Sequence, residues 1–112
     1  MKKAPLLLLL ILTGCASAAG SRPELFRGFY EHGFEVESFR LCGSDERWWI
    51  VRADELNRRY RELTGAQYER VYAAIRGHAG PAGRYGHLGA YTRELTVVEV
   101  LDVRRTPADP CR

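Results

Sequence analysis

The chain has 112 residues, with 17 basic and 14 acidic side chains, a formal charge of +3 and 46% hydrophobic residues. That length holds one small domain and no more. Its two lysines, Lys2 and Lys3, stand at the extreme N-terminus, which excludes a Schiff-base lysine or a P-loop lysine anywhere else.

Behind the two lysines comes an unbroken apolar run from Leu6 to Leu12. The run is well short of the ~20 residues needed to cross a bilayer, and it suits the hydrophobic region of a signal peptide. An ordinary secretory signal would end in an Ala-x-Ala-like site; this one ends Leu12-Thr13-Gly14-Cys15. At every position the tetrapeptide resembles the lipobox of bacterial lipoproteins. The resemblance implies a diacylglyceryl lipid on the Cys15 thiol, cleavage between Gly14 and Cys15, and acylation (typically palmitate) of the new amino group, with no other cofactor. Each buried methylene adds about 0.8 kcal/mol of membrane affinity, so two or more chains anchor stably. Where the family carries Asp after the cysteine for inner-membrane retention, this chain has Ala16, which implies the periplasmic face of the outer membrane. The competing reading is a plain signal peptide with an incidental cysteine.

Cleavage before Cys15 leaves 98 residues. Residues 15–23 then form the lipidated N-terminus and a small, polar tether. About eight flexible residues have a root-mean-square reach of roughly 15 Å, so the domain, residues 24–112, would sit close to the membrane. Without Lys2 and Lys3 the basic side chains are 15 arginines against 14 acids. A nucleic-acid partner therefore gains no support from charge, and arginine without lysine is read as genomic composition. Cys42 and Cys111 remain, and in an oxidising compartment an even pair is expected to form a disulfide; free thiols or a metal pair are the alternative.

Along the domain, residues 25–43 read as two strands. Phe34, Val36, Ser38 and Leu41 interleave with Glu35, Glu37 and Arg40, close to the period of two of a half-buried strand, with Gly33 as the turn or bulge. Residues 46–53 form a third strand rich in aromatic and β-branched residues. Leu56, Tyr60 and Leu63 then fall at i, i+4 and i+7, one apolar helix stripe. Asp54 is the expected N-cap and Gly65 the expected C′ residue, with Glu55–Arg59 and Arg58–Glu62 pairs on the wet face. Residues 68–77 fit either a helix stripe or a strand with Val71, Ala73 and Ile75 on one face; the short run between glycines favours the strand. Residues 93–106 form the last strand, with Leu95, Val97, Leu101 and Val103 on one face and Glu99 interrupting it.

The expected order is β-β-β-α-β-loop-β, a mainly β chain. It resembles the OB-fold, a five-stranded partly open barrel with a helix between strands three and four. In element order and in a G…E…F…C…WW texture over about 80 residues the domain is similar to OB-like domains of bacterial lipoproteins, such as the C-terminal domain of the outer-membrane lipoprotein NlpE. The CxxC of that protein's N-terminal domain is absent, so its copper-related roles are not implied.

Between the last two strands lies a loop, residues 77–91, with Gly77, Gly80, Gly83, Gly86 and Gly89 at every third position. It contains neither GxGxxG after a strand nor GK[ST], so no phosphate loop is indicated. In OB domains such a loop frames the ligand face, which makes His78, Tyr85, His87 and Tyr91, with a tryptophan, the candidate ligand residues. Trp48 and Trp49 must point to opposite faces of their strand; Trp48 is assigned to the candidate set, and an outward tryptophan with Tyr85 and Tyr91 would make a platform for stacking sugars. His78 and His87 are the candidate metal pair. Glu35 and Glu37 would share a strand face as exposed, alternating carboxylates. No nucleophile–base–orienter set assembles, and neither Ser38 nor Ser44 stands in a G-x-S-x-G elbow. The expectation is a non-enzymatic envelope lipoprotein, a binding or assembly module for an envelope protein or glycan and not for nucleic acid. The alternative is a periplasmic protein that binds a small ligand or metal through loop 77–91.

Overall fold

A computed structural model describes residues 2–3, 21–106 and 110–111. The lipobox, Cys15 and most of the tether lie outside the described residues. Five strands, β1 (Glu24–Gly33), β2 (Val36–Leu41), β3 (Arg47–Val51), β4 (Val71–Ala79) and β5 (Glu94–Arg105), close into a barrel in the order β1-β2-β3-β5-β4. Helix α1 (Asp54–Leu63) lies between β3 and β4. This is the mainly β, OB-like barrel expected. Every neighbouring pair is antiparallel except β3 and β5.

Core residues follow the pairing. Tyr30 on β1 faces Phe39 on β2, and Phe39 faces Trp48 on β3; all three are buried in one cluster with Ile50, Val71, Ala73, Ile75 and Leu95. Burying a ring of that size contributes about 1.5–3 kcal/mol. Strand β2 therefore has the opposite register to that expected at Val36 and Ser38, while Leu41 packs against the core as expected. Phe39 is inside and Ser38 lies on the outer face, while Phe34 is not in a strand at all but in the turn with Glu35. The turn falls at Phe34–Glu35, not at Gly33, and Glu35 takes its left-handed backbone (φ 58°). Gly33 instead makes room for an aromatic ring, since a Cβ there would overlap the side chain of Tyr68.

Strand β4 lays Val71, Ala73 and Ile75 on the core face as expected. Strand β5 departs from strict alternation twice. Its pairing with β4 runs Ala74↔Asp102, Ile75↔Val100, Arg76↔Glu99 and Gly77↔Val97, which passes over Leu101 and Val98. Each is the extra residue of a bulge. Leu101 (39% exposed) and Val98 (56%) face outward, and Val100 takes the inward place expected of Leu101. The bends let one strand pair with β3 at its start and with β4 along its length.

Helix α1 buries Leu56 and Tyr60, and Tyr60 meets Tyr30 edge-on with centroids 5.4 Å apart. Glu55–Arg59 (2.9 Å) and Arg58–Glu62 (2.7 Å) form on its wet face. The caps differ from expectation. Ala53 is the N-cap and Asp54 is the first helical residue, where its charge still complements the helix dipole. At the other end Thr64 closes the helix, donating both its backbone N–H and its hydroxyl to the Tyr60 carbonyl, so Gly65 needs no left-handed turn.

Cys42, just past β2, is disulfide-bonded to Cys111, with Cα atoms 5.4 Å apart and a sequence separation of 69. The bond ties the end of the chain to the β2–β3 turn. On the chain-entropy account a loop of about 70 residues gives about 4 kcal/mol. Guanidinium denaturation of the Cys42→Ser/Cys111→Ser chain is expected to show a cooperative transition shifted down by about that amount; an unchanged midpoint would refute the contribution.

Candidate functional site

The outer face of β1–β2–β3 carries the most concentrated chemistry in the domain. Alternation places Phe29 and Glu31 outside on β1, Ser38 and Arg40 outside on β2, and Arg47 and Trp49 outside on β3. Arg70, just before β4, reaches over the same surface. Together Phe29, Glu31, Ser38, Arg40, Arg47 and Arg70 line a recess of about 260 Å³.

Rings hold the guanidiniums in place. Arg40 and Arg70 both lie against the Phe29 ring, 5.3 and 5.5 Å from its centroid. Arg47 lies 5.3 Å from the centroid of the Tyr91 ring and donates from Nε to Ser38 Oγ at 3.0 Å. Across the neighbouring β1–β4 surface, Arg104 and Arg27 cover Tyr72 at 4.8 and 5.9 Å, and Arg27 Nε donates to the Tyr72 hydroxyl at 2.7 Å. The result is a band in which arginines form the outer layer over aromatic rings. Each such contact contributes about 0.5–1 kcal/mol at an exposed site, and each restrains a guanidinium of the kind that can bind a carboxylate or phosphate through two parallel hydrogen bonds. Acid on the band is sparse: Glu31 pairs with Arg70 at 3.2 Å and Asp102 with Arg104 at 3.4 Å. Arg40 forms no ion pair with any described residue.

The glycine-rich loop frames one side of this face. It continues the β4–β5 ladder, with Gly80 N–H to Glu94 O, Gly83 N–H to Thr92 O and a reciprocal Tyr85–Tyr91 bridge, before a 3-10 turn at His87–Gly89. Of its glycines, Gly86 and Gly89 take positive φ (68° and 63°). A Cβ on Gly86 would overlap the Trp49 indole. Trp49 itself packs edge-on against Tyr91 at 5.0 Å. His87 at the tip reaches Glu35 of the β1–β2 turn, Nε2 to Oε2 at 3.0 Å, so the two loops that flank the face touch.

The expected site residues are thus dispersed. Trp48 is in the core against Phe26 (5.7 Å), and Trp49 is the outward member of the pair. Tyr91 is buried beneath Arg47, while Tyr85 donates its hydroxyl to Pro81 O; no single exposed stacking platform results. His78 lies outward on β4 opposite Thr96, away from His87 at the loop tip. Among the described residues no three His, Cys, Asp or Glu side chains are grouped to hold a metal. Glu35 and Glu37 do not share a strand face, because Glu35 is in the turn.

Glu37 instead points inward into a polar network that sequence reasoning missed. It accepts from Asn57 Nδ2 at 3.4 Å and lies 3.3 Å from His32 Nδ1, and the Tyr30 hydroxyl donates to Asn57 Oδ1. His32 and Glu37 are 26% and 24% exposed. Burial, and secondarily the charge of Glu37, pushes the Tyr30 hydroxyl well above the usual tyrosine range, and burial likewise raises Tyr60. Both phenols therefore stay protonated and act as donors at any physiological pH.

No protein-family model matches the chain, no curated protein matches it, and no solved structure matches it.

The packing of Gly86 on Trp49 gives a direct check. Gly86→Ala is expected to lift the loop from Trp49, seen as a red shift and quench-accessibility change in tryptophan fluorescence. Gly65→Ala, where a Cβ meets nothing within 4 Å, is expected to leave the spectrum unchanged.

Proposed function

We propose that this protein is a non-enzymatic binding module of the cell envelope, anchored by lipid on Cys15 at the periplasmic face of the outer membrane, that holds an acidic envelope polymer on the outer face of β1–β2–β3. The observation that carries the reading is the recess over Phe29, whose lining holds the guanidiniums of Arg40, Arg47 and Arg70 against the one carboxylate of Glu31. Three ring-backed forks with one acid among them favour a ligand bearing repeated carboxylates or phosphates. The rings lie beneath the arginines, so charge and planar hydrogen bonding dominate over sugar stacking. The histidines with partner side chains, His32 and His87, face glutamates and not a serine, threonine or cysteine, which supports a binding role over nucleophilic catalysis. Anchoring rests on the Leu12-Thr13-Gly14-Cys15 motif, and a flexible tether of about eight residues, with a root-mean-square reach of roughly 15 Å, would keep the domain close to the membrane.

Fluorescence anisotropy with labelled polyglutamate is expected to show saturable binding that weakens with salt, as exposed ion pairs do. Arg40→Gln/Arg47→Gln/Arg70→Gln should lose at least about tenfold in affinity, and neutral dextran should not bind. Equal affinity of the wild-type and triple-variant chains would rule out this face. Separately, metabolic labelling with radioactive palmitate should mark the wild-type precursor and leave Cys15→Ser unlabelled; label on both would refute the anchor.

A further inference from the structure

A second cavity, of about 530 Å³, opens on another part of the molecule, between the β1–β2 turn and the C-terminal end of α1. Its lining includes His32, Phe34, Tyr60, Arg61, Thr64 and Gln67. The volume falls in the range of small-molecule sites, about 300–1,000 Å³.

The walls are tied together by specific bonds. Tyr68 N–H donates to His32 O (2.9 Å), Phe34 N–H to Gln67 Oε1 (2.8 Å), the Tyr68 hydroxyl to Phe34 O (3.2 Å) and the Tyr60 hydroxyl to Glu69 O (2.7 Å). Tyr68 holds a left-handed backbone (φ 64°) to make two of these bonds, an uncommon conformation for a bulky side chain. A segment held in a strained form by four cross-links is a built wall and not a loose turn.

The charges inside select the ligand. Carboxylates on every element around the cavity are already engaged: Glu37 with His32 and Asn57, Glu31 with Arg70, Glu62 with Arg58, and Glu69 with Arg105. The Tyr60 carbonyl is taken by Thr64, and the Leu63 carbonyl by Arg105. Arg61, in the last helical turn, forms no ion pair with any described residue and is exposed on the cavity wall. His32 also lines the cavity; its Nδ1 is buried 3.3 Å from Glu37 without a hydrogen bond, so the imidazole keeps hydrogen-bonding capacity for a ligand. The Tyr60 ring meets His32 edge-on at 5.9 Å, and Phe34, 72% exposed, supplies an apolar side.

The geometry points to a binding site for a small cyclic or aromatic monocarboxylate. Its carboxylate pairs with the Arg61 guanidinium, its ring lies against Phe34, and a polar substituent reaches the His32 imidazole. The site is separate from the arginine band and does not depend on it.

Phenylacetate is the probe, with phenylacetamide as its uncharged counterpart. In a nitrogen–proton NMR titration of the mature domain, phenylacetate is expected to bind saturably, with Kd on the order of 1 mM for a ligand of that size. Shifts should centre on the amides of Gly33, Gly65 and Ala66. Phenylacetamide should bind about tenfold more weakly. Arg61→Gln should lose about the same factor, while Arg58→Gln, on the wet face of the same helix, should bind like wild type. Arg61 is exposed, so the fold survives its replacement, and the amide spectrum reports that directly. Four results would each overturn the proposal: no saturable binding of phenylacetate, equal binding of acid and amide, indifference to Arg61→Gln, or shifts centred on the strands around Arg40 and Arg47. The last would assign the anion to the arginine band alone.

Discussion

Phe39 turns inward between Tyr30 and Trp48, and the rest of the molecule depends on that choice. Period-two geometry allows β2 two registers, and a shift of one residue exchanges its faces completely. With Phe39 inside, three rings from adjacent strands pack at the centre of the barrel. The same choice sends Glu37 inward to His32 and Asn57, and Ser38 and Arg40 outward beside Arg47. In the opposite register Arg40 and Ser38 would meet Tyr30 and Trp48, burying an unpaired charge at a cost of several kcal/mol. One hydrophobic preference therefore creates both the arginine recess and the polar network beneath α1.

Strand β5 solves the complementary problem of closure. It must run parallel to β3 and then antiparallel to β4, and the bulges at Val98 and Leu101 supply the bend. Closure also sets the direction in which the β4–β5 ladder leaves the barrel. That ladder continues into the glycine-rich loop, bringing Gly86 onto Trp49 and His87 to Glu35. The loop is thus an ordered extension of the sheet. Its glycines mostly admit close approach of backbone to ring or to neighbouring strand, and left-handed geometry is confined to the 3-10 turn, at Gly86, Leu88 and Gly89.

Legibility in the sequence tracks how many alternatives each segment offered. Helix α1 is readable because Leu56 and Tyr60 make one stripe and the glutamate–arginine spacings agree with it; β4 is readable because a short run between glycines favours a strand, which puts Val71, Ala73 and Ile75 on one face. The Cys42–Cys111 bond follows from reading an even pair of cysteines as a disulfide, on the expectation of an oxidising compartment. In β2, Val36 and Ser38 make a weak apolar pattern that hides the single large ring at Phe39. In β5 the doublets Val97–Val98 and Val100–Leu101 each offer two apolar residues for one inward place, and only pairing with β4 decides between them. His32 carried no local signal, since its partners come from another strand and, through Glu37, from the helix. The arginine band was invisible for the same reason: its members are scattered over four strands and a loop, and composition alone made them look like a property of the genome.

Geometry gives those arginines a role that lysine would not fill. A guanidinium is planar, stacks on a ring and keeps its fork of donors free along the edge, whereas an ammonium is a compact, strongly hydrated point charge. Arg40 and Arg70 over Phe29, Arg47 over Tyr91 and Arg104 over Tyr72 all place the guanidinium carbon within 5.5 Å of a ring centroid. Packing of this kind lowers the side-chain entropy left to lose when an anion binds. It also spaces like charges along a rigid sheet, so their mutual repulsion is borne by the fold and relieved by an acidic ligand. A net charge near neutrality for the domain hides this arrangement, because the compensating acids sit elsewhere: on the wet face of α1 with Arg58 and Arg59, and on β5 with Arg76. Function at such a surface is set by where charge is placed and how firmly it is held, and the sum of charges says little about either.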